Sequence, residues 1–556
     1  MFFRKLVFCL TSLALLCSSS VLLAQEEGPS DASSVEAPED REEQKEDDEQ
    51  KLETNFFLTS EVHSMNNLDL RELDETSDES ILLTDDRATF AYTGLAMELE
   101  YDVLDDTEFN FGGAHTGLWG NDQLGGLSGE SIRADEGNRA PHFIWIYDLS
   151  ASWEPVDTES FGFETTIGRQ PFEIGGAEED FFFDDTIDGI TLDLDAGIAG
   201  ALRVLALDFY ATNSEPKGVD FVDYVATRDV VAPFRGDTNT LRFGGVYENT
   251  ELLDGLDFRA FGFFADIGAS TRPGATGADR SVHGSLGNAS DADYAWMAGT
   301  RFGYTWESEG LSVGGFGEFA RSGGIDRKDV EIGLRDVVNE GNAYGGGIHG
   351  SFETTAFGVD AKARYFHADG GQYTGDSGIQ FSHGFVSFKG DEVGGLNLDR
   401  YVGVHPSAYV TADGVLDTPN STSRRAGTDV IHGGVGISAS DWFRADFDAW
   451  YLIDTSNTEL PPDKIDEVAS NQPFGYTEAD LQAQRRFGKP IGAELDASLL
   501  FRANKALSFY TKGGVFLPSE FYEIEIDRSV AGDYTALGSE DPQTFWAVAG
   551  GTSLSF

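Results

Sequence analysis

Charged residues recur at alternate positions among apolar ones along much of this 556-residue chain, and that spacing defines the chemistry open to it. In the stretch from Thr238 to Tyr247, Thr238, Thr240 and Arg242 share one face, and Asn239, Leu241, Phe243, Gly245 and Tyr247 share the other. The same alternation sets Arg301 against Phe302 and Tyr304, and Lys362 and Arg364 against Ala363 and Tyr365. It sets Arg444, Asp446 and Asp448 against Phe443, Phe447 and Tyr451, and Glu494, Asp496, Ser498 and Arg502 against Leu495, Leu499 and Phe501. Guanidinium and carboxylate groups on the wet face of a wall can filter solutes by charge, the arginines binding anionic or hydroxylated solute while the carboxylates hold them extended. Any water-filled lumen also gathers polar side chains, so alternation assigns a face without assigning a constriction.

Covalent chemistry is not written beside these groups. The nine histidines run from His63 to His432 with no HExxH and no paired zinc spacing, and no Gly-x-Ser-x-Gly elbow occurs. Asp184, Thr186, Asp188 and Gly189, with Asp195 further on, loosely follow a calcium-loop spacing. Thr at the third position and Asp where a bidentate Glu normally closes the loop make a plain acidic loop the better expectation, with Asp184 and Asp188 as a weak calcium pair. The residues predict neither an enzyme nor a cofactor.

The elements that would carry such a wall are β-strands. The last fourteen residues, Gln543 to Phe556, alternate Trp546, Val548, Gly550, Thr552, Leu554 and Phe556 with Phe545, Ala547, Ala549, Gly551, Ser553 and Ser555, and the chain stops on an aromatic residue inside a strand. From Asn55 onward, period-2 runs are joined alternately by short and long connections. Short ones centre on Asp105, Pro155, Gly197, Leu253, Ser308, Thr355, Ser440 and Asn504. Long ones, rich in Gly, Asp, Asn and Ser, are Met65 to Arg87, Gly120 to Pro141, Gly175 to Asp185, Asn213 to Gly236, Ser270 to Asp293, Gly323 to Gly341, Asp369 to Ala426, Thr455 to Lys489 and Pro518 to Pro542.

This rhythm predicts an all-β fold, a transmembrane antiparallel β-barrel of about eighteen strands within a range of sixteen to twenty, with short periplasmic turns and long extracellular loops. Ile379 to Phe388 and Tyr401 to Thr411 could add a pair, but Gly394, Gly395 and Pro406 interrupt the alternation and favour a long loop carrying a hairpin. A barrel of this size holds an aqueous channel unless something plugs it.

The rest of the chain fits export to a membrane. Arg4 and Lys5 precede an apolar run from Leu6 to Leu16, with a cleavage position after Ala24, so residues 1–24 read as a signal peptide. Leu15 and Leu16 before Cys17 lack the small residue that lipidation requires. Cys9 and Cys17 both lie in that leader, leaving residues 25–556 without a thiol. Residues 25–54 hold thirteen carboxylates against three basic residues and read as an acidic disordered tail on the periplasmic side, ahead of the barrel at 55–556.

With 97 acidic and 38 basic residues, the formal charge of -59 disfavours nucleic acid as a partner. The sequons at Asn288 and Asn420 are taken as loop composition.

One segment carries a family resemblance. Gly168, Arg169 and Gln170, then Glu178, Glu179 and Asp180, then Asp184, Asp185, Asp188, Gly189 and Ile190 form a strand end, an acidic loop and a return strand opening on Asp-Gly. This resembles the alginate-export family of outer-membrane porins over about thirty residues. The resemblance implies an eighteen-stranded barrel with an arginine-lined conduit for an anionic polysaccharide, and it carries Arg169 over as a pore-lining residue. Thr186 and Ile187 stand where the family places an arginine before the Asp-Gly step.

The expected function is an outer-membrane channel for small hydrophilic solutes or carbohydrate. Its partners would be membrane lipid and, through the closing strand, the barrel-assembly machinery. The alternative is a surface or adhesion barrel, with its lumen plugged by the Asp369 to Ala426 loop and with acidic loops that bind cations.

Overall fold

The computed structural model describes residues 52–66, 88–104, 106–119, 142–158, 160–210, 240–250, 252–267, 293–326, 336–370, 373–374, 379–388, 390–391, 393–396, 406–410, 416–417, 427–455, 490–520 and 543–556. The expected signal peptide, nearly all of the acidic tail, both sequons and most of the long connections lie outside the described residues.

The wall begins with β1 (Leu52–Asn66), β2 (Ala88–Leu104), β3 (Thr107–Trp119), β4 (His142–Thr158), β5 (Phe161–Glu173) and β6 (Asp184–Asp195). It continues through β7 (Ala201–Tyr210), β8 (Thr240–Asn249), β9 (Leu256–Ile267), β10 (Asp293–Ser308), β11 (Leu311–Asp326), β12 (Asp336–Glu353) and β13 (Gly358–Ala368). One long connection then holds β14 (Tyr373–Thr374), β15 (Ile379–Ser382), β16 (Val386–Ser387), β17 (Ala408–Val410) and β18 (Leu416–Asp417). The wall resumes with β19 (Thr428–Ala439), β20 (Phe443–Asp454), β21 (Pro490–Arg502), β22 (Leu507–Pro518) and β23 (Phe545–Ser555).

Each wall strand pairs antiparallel with its neighbours, β13 with β19, and β23 closes on β1 from Phe57↔Ser555 to Asn66↔Trp546. Among the described residues this is a closed barrel of eighteen strands. Closure leaves no edge, so every wall strand finds ladder partners on both sides, as a lipid environment demands. β1 starts at Leu52, so the last three residues assigned to the acidic tail belong to the barrel.

Period-2 geometry explains which faces are apolar. Val62, Ile167, Phe302, Ile348, Phe447, Leu495 and Val548 all stand exposed on the outside, Ile348 at 68%. Inward-facing positions are buried: Ala265, Ala320, Ala343 and Ala549 are each at most 1% exposed. An exposed apolar belt around a closed barrel is the surface of a transmembrane barrel of the outer-membrane type. Among the described residues no helix is long and apolar enough to span a bilayer.

Seven of the eight short turns fall where alternation breaks in the sequence. The eighth does not: β4 runs through Pro155 to Thr158, and β5 begins at Phe161. Pro155 sits in a register shift between Trp153 and Val156, a β-bulge where a missing N–H leaves no ladder bond unmade. A second shift on β4 lies at Tyr147, whose hydroxyl donates to Glu98 at 3.0 Å.

Among its described residues, the Asp369 to Ala426 connection supplies no wall strand. β14 and β15 form its hairpin, β15 adds in parallel to Asp336–Asn339 of β12, and β16, β17 and β18 make a separate three-stranded sheet.

Candidate functional site: an inner loop and a strap inside the barrel

The connection from β5 to β6, residues 174–183, turns into the lumen. Asp180 organises this inner loop. Its Oδ2 accepts the backbone N–H groups of Ile174 and Gly175, both at 3.0 Å, and its Oδ1 accepts those of Phe182 at 3.1 Å and Phe183 at 3.3 Å. Both oxygens also receive Arg301, at 3.2 and 2.9 Å, so a carboxylate only 2% exposed is fully hydrogen-bonded. Arg301 also binds Glu318 at 2.9 Å and the Gly175 carbonyl.

Two more guanidiniums continue the pattern. Arg364 donates to Glu179 at 2.8 Å and to Glu318 at 2.8 Å, and Arg242 donates to Asp208 at 2.5 Å and Asp185 at 2.9 Å. Three arginines thus face five carboxylates, and their side chains are only 3 to 5% exposed.

Each arginine also covers one ring of a consecutive aromatic triplet. Arg364 lies 4.2 Å over Phe181, Arg301 5.4 Å over Phe182 and Arg242 4.9 Å over Phe183, which is cation–π distance. The rings pack on Phe172, Phe261, Phe263 and Phe366 of the inner wall, with centroid distances between 4.8 and 5.7 Å. This side of the lumen is a dry aromatic core, stabilised by burial as the interior of a soluble domain is.

A second segment of the long connection, described at residues 384–388, 390–391 and 393–396, crosses the lumen as a strap. The Phe388 N–H donates to the Phe182 carbonyl at 3.0 Å, and the Asp391 N–H donates to the Asp180 carbonyl at 2.9 Å. The Asp180 N–H in turn donates to the Asp391 carboxylate at 2.7 Å. At the far end, Gly395 and Leu396 give their N–H groups to Glu494 and Asp496 of β21, both at 3.1 Å. Seven wall strands separate β6 from β21 by one route and nine by the other, so the strap bridges opposite parts of the barrel.

Two glycines permit the close approach: a Cβ on Gly390 would strike the backbone of Asp180 and Phe181, and one on Gly395 would strike the Asp496 carboxylate. Burial pushes the Asp391 carboxyl above its ordinary range. The Asp180 N–H works against that rise, and the Asp180 charge adds to it.

Beneath the inner loop lie two cavities. One, of about 350 Å³, is lined by Glu178, Glu179, Asp257, Thr305, His349, Asp360, Lys362, Arg364 and His432. The other, of about 390 Å³, is lined by Glu154, Asp157, Glu164, Glu173, Asp193, Asp195 and Glu248, with Arg203 and Arg259. The Pro155 bulge brings both Glu154 and Asp157 to this second cavity. Arg203 is held by Asp193 at 2.7 Å, and Arg259 by Glu248 at 2.9 Å and Asp257 at 3.2 Å.

The sequence-selected residues divide by place. Arg242, Arg301 and Arg364 face inward but lie sealed beneath the inner loop. Lys362 pairs with Glu178, at the exposed edge of that loop. Arg444 bridges Asp446 at 2.7 Å and Asp360 at 3.1 Å, and Asp448 accepts from His432, whose ring stacks on Trp450 at 3.5 Å. Glu494 and Asp496 anchor the strap, and Arg502 is exposed at the end of β21.

Arg169 stands apart from all of these. It shares a face with Ile167, which is 56% exposed, while Gln170 and Phe172 turn to the buried inner side. The carried-over position is therefore on the outer surface, locked by two bonds of 2.7 and 2.6 Å to its register partner Asp188. That pairing also removes Asp188 from any calcium loop with Asp184. Among the described residues no group of three or more His, Cys, Asp or Glu side chains is placed to hold a metal ion.

Sequence reasoning missed the triplet Phe181, Phe182 and Phe183. Three aromatic residues inside an acidic connection were the signal, since a loop exposed to water has no use for them.

No family model matches the sequence, and no curated protein matches it. The chain is similar in structure to OccAB1 of Acinetobacter baumannii at 9% identity, covering 90% of this chain and 97% of that one with a TM-score of 0.44. It is also similar to OccAB3 of the same organism (10% identity, 91% and 99% covered, TM-score 0.41). A third is the outer membrane protein OprD of Pseudomonas aeruginosa (10% identity, 91% and 94% covered, TM-score 0.40).

Proposed function

We propose that this chain is an outer-membrane channel for the diffusion of small hydrophilic solutes, narrowed from within by the inner loop and the strap. The observation that carries the reading is the division of the lumen. One side is filled by a sealed arginine–phenylalanine core, while charged side chains that remain open to water line the cavities beside and beneath it. Passage would be governed by width and charge, with no covalent step.

Export of an anionic polysaccharide is the finer alternative, and the geometry disfavours it, because Arg242, Arg301 and Arg364 are each already held by two carboxylates. We further propose that residues 1–24 direct export. The closing strand, where Phe56 and Phe556 exchange ladder bonds, would be read by the assembly machinery.

The strap gives a second reading its one specific support. If it seals the lumen, the protein is a plugged surface barrel. Single-channel recording of the purified barrel in planar bilayers separates the two. The channel reading predicts stepwise current in the intact protein, and a silent barrel that conducts only after residues 384–396 are deleted would replace it with the plugged one.

A further inference from the structure

We infer that the channel selects for cations, its preferred solutes being small molecules that carry an amine or guanidinium charge; this rests on the channel reading above. The argument begins with the arginines. A guanidinium favours anions in a lumen only when it meets water, and Arg242, Arg301 and Arg364 are 3 to 5% exposed and each hydrogen-bonded to two carboxylates. They contribute a fold and present no field to a passing solute.

The cavity below the inner loop has the opposite balance. Arg203 and Arg259 are neutralised by their own partners, and Glu154, Asp157 and Glu164 have no basic partner within ion-pair distance among the described residues. Glu154 lies within electrostatic reach of both Asp157 and Glu164.

Three neighbouring carboxylates with no fixed counter-charge draw mobile cations from solution, and low-dielectric walls focus that field along the lumen. The Pro155 bulge creates the grouping, because it sets Glu154 and Asp157 on the same inner face, with Glu164 alongside on β5. Glu154, Asp157 and Glu164 are the residues assigned to charge selection.

The test uses the intact barrel in planar bilayers across a KCl gradient. The reversal potential should fall on the potassium side, and it should shrink as total salt rises, since the Debye length shortens from about 10 Å at 0.1 M to about 3 Å at 1 M. The triple variant E154Q/D157N/E164Q should keep its conductance steps while the reversal potential moves towards zero. Liposomes should swell faster in ethanolamine hydrochloride than in sodium glycolate.

A conducting barrel that prefers chloride would overturn the inference and leave the channel reading standing. A cation preference unchanged in the triple variant would overturn the assignment to these carboxylates, and the salt series on the unmodified protein keeps the test valid if the variant fails to fold. Absence of any current would instead defeat the channel reading.

Discussion

Two regions of the lumen use the same pair of groups to opposite ends. Around the inner loop, Arg301 and Asp180 are 3% and 2% exposed and form part of a hydrogen-bonded core. On the wall below, Arg203 and Asp193 meet at a similar distance but are 49% and 27% exposed. Coulombic attraction is strong in the first setting and screened in the second, while desolvation makes each buried charge depend wholly on its partner. Burial, more than residue type, decides whether a lumenal charge holds the protein together or meets a solute.

The comparison can be broken most severely at its buried end. Arg301→Ala leaves Asp180 buried without its cation and Glu318 with Arg364 alone, and should destabilise the inner loop by about 3–5 kcal/mol. Thermal unfolding in detergent should show the loss, and single-channel conductance should rise as the loop leaves the lumen. A variant with unchanged unfolding and unchanged conductance would show that the loop does not depend on this pair.

Phe182→Ala tests the aromatic half of the same core, with an expected cost of about 3–5 kcal/mol from lost burial and the cavity left behind. Because the arginines stay paired, protease sensitivity near residues 181–183 should increase while the sign of ion selectivity holds. A reversed selectivity would mean that the rings do more than fill space.

The exposed end should behave differently. Arg203→Ala removes a screened pair worth about 0–1 kcal/mol, so unfolding should barely move. The cation preference should grow, because Asp193 is released to the cavity. A large loss of stability here would erase the distinction between the two regions.

The smallest effect concerns the strap. The Asp391 carboxyl has a raised affinity for its proton when docked, so docking is favoured at low pH and weakens as pH rises through that raised value, where the charge faces Asp180 and Glu179. Hydrogen-exchange protection across residues 384–396, taken relative to the intrinsic base-catalysed rate at each pH, should therefore be greater near pH 4 than near pH 8, about the carboxylate and neutral ranges respectively. Asp391→Asn should flatten the difference, and a difference that persists would move the pH response to another group.

Much of the wall was legible from residue order alone. Alternation placed Arg242, Arg301, Lys362, Arg364, Glu494 and Asp496 on the inner face because strand side chains strictly alternate, and turn spacing led to eighteen strands. Pro155 misled because a bulge lets a strand continue past a residue that cannot donate.

The contents of the lumen were not legible. Period-2 spacing says which way Phe261 and Phe263 point but not that Phe182 and Phe183 fold back inside the barrel to meet them. Arg169 shows the same limit, since a local motif carries no information about which face of its strand is inside. Contacts such as Arg301 with Asp180 or Leu396 with Asp496 join residues about a hundred or more positions apart, and no local pattern encodes them.

The central claim, that the buried arginines lock the inner loop and do not filter solutes, meets its most direct test in the conductance and reversal potential of the Arg301→Gln/Arg364→Gln variant across a KCl gradient. If the arginines are a lock, their loss frees the loop, widens the passage and raises conductance, with the cation preference kept or increased because Asp180, Glu179 and Glu318 lose their partners. If they are a filter, their loss removes positive charge from the constriction, and a stronger cation preference at unchanged conductance would contradict this account.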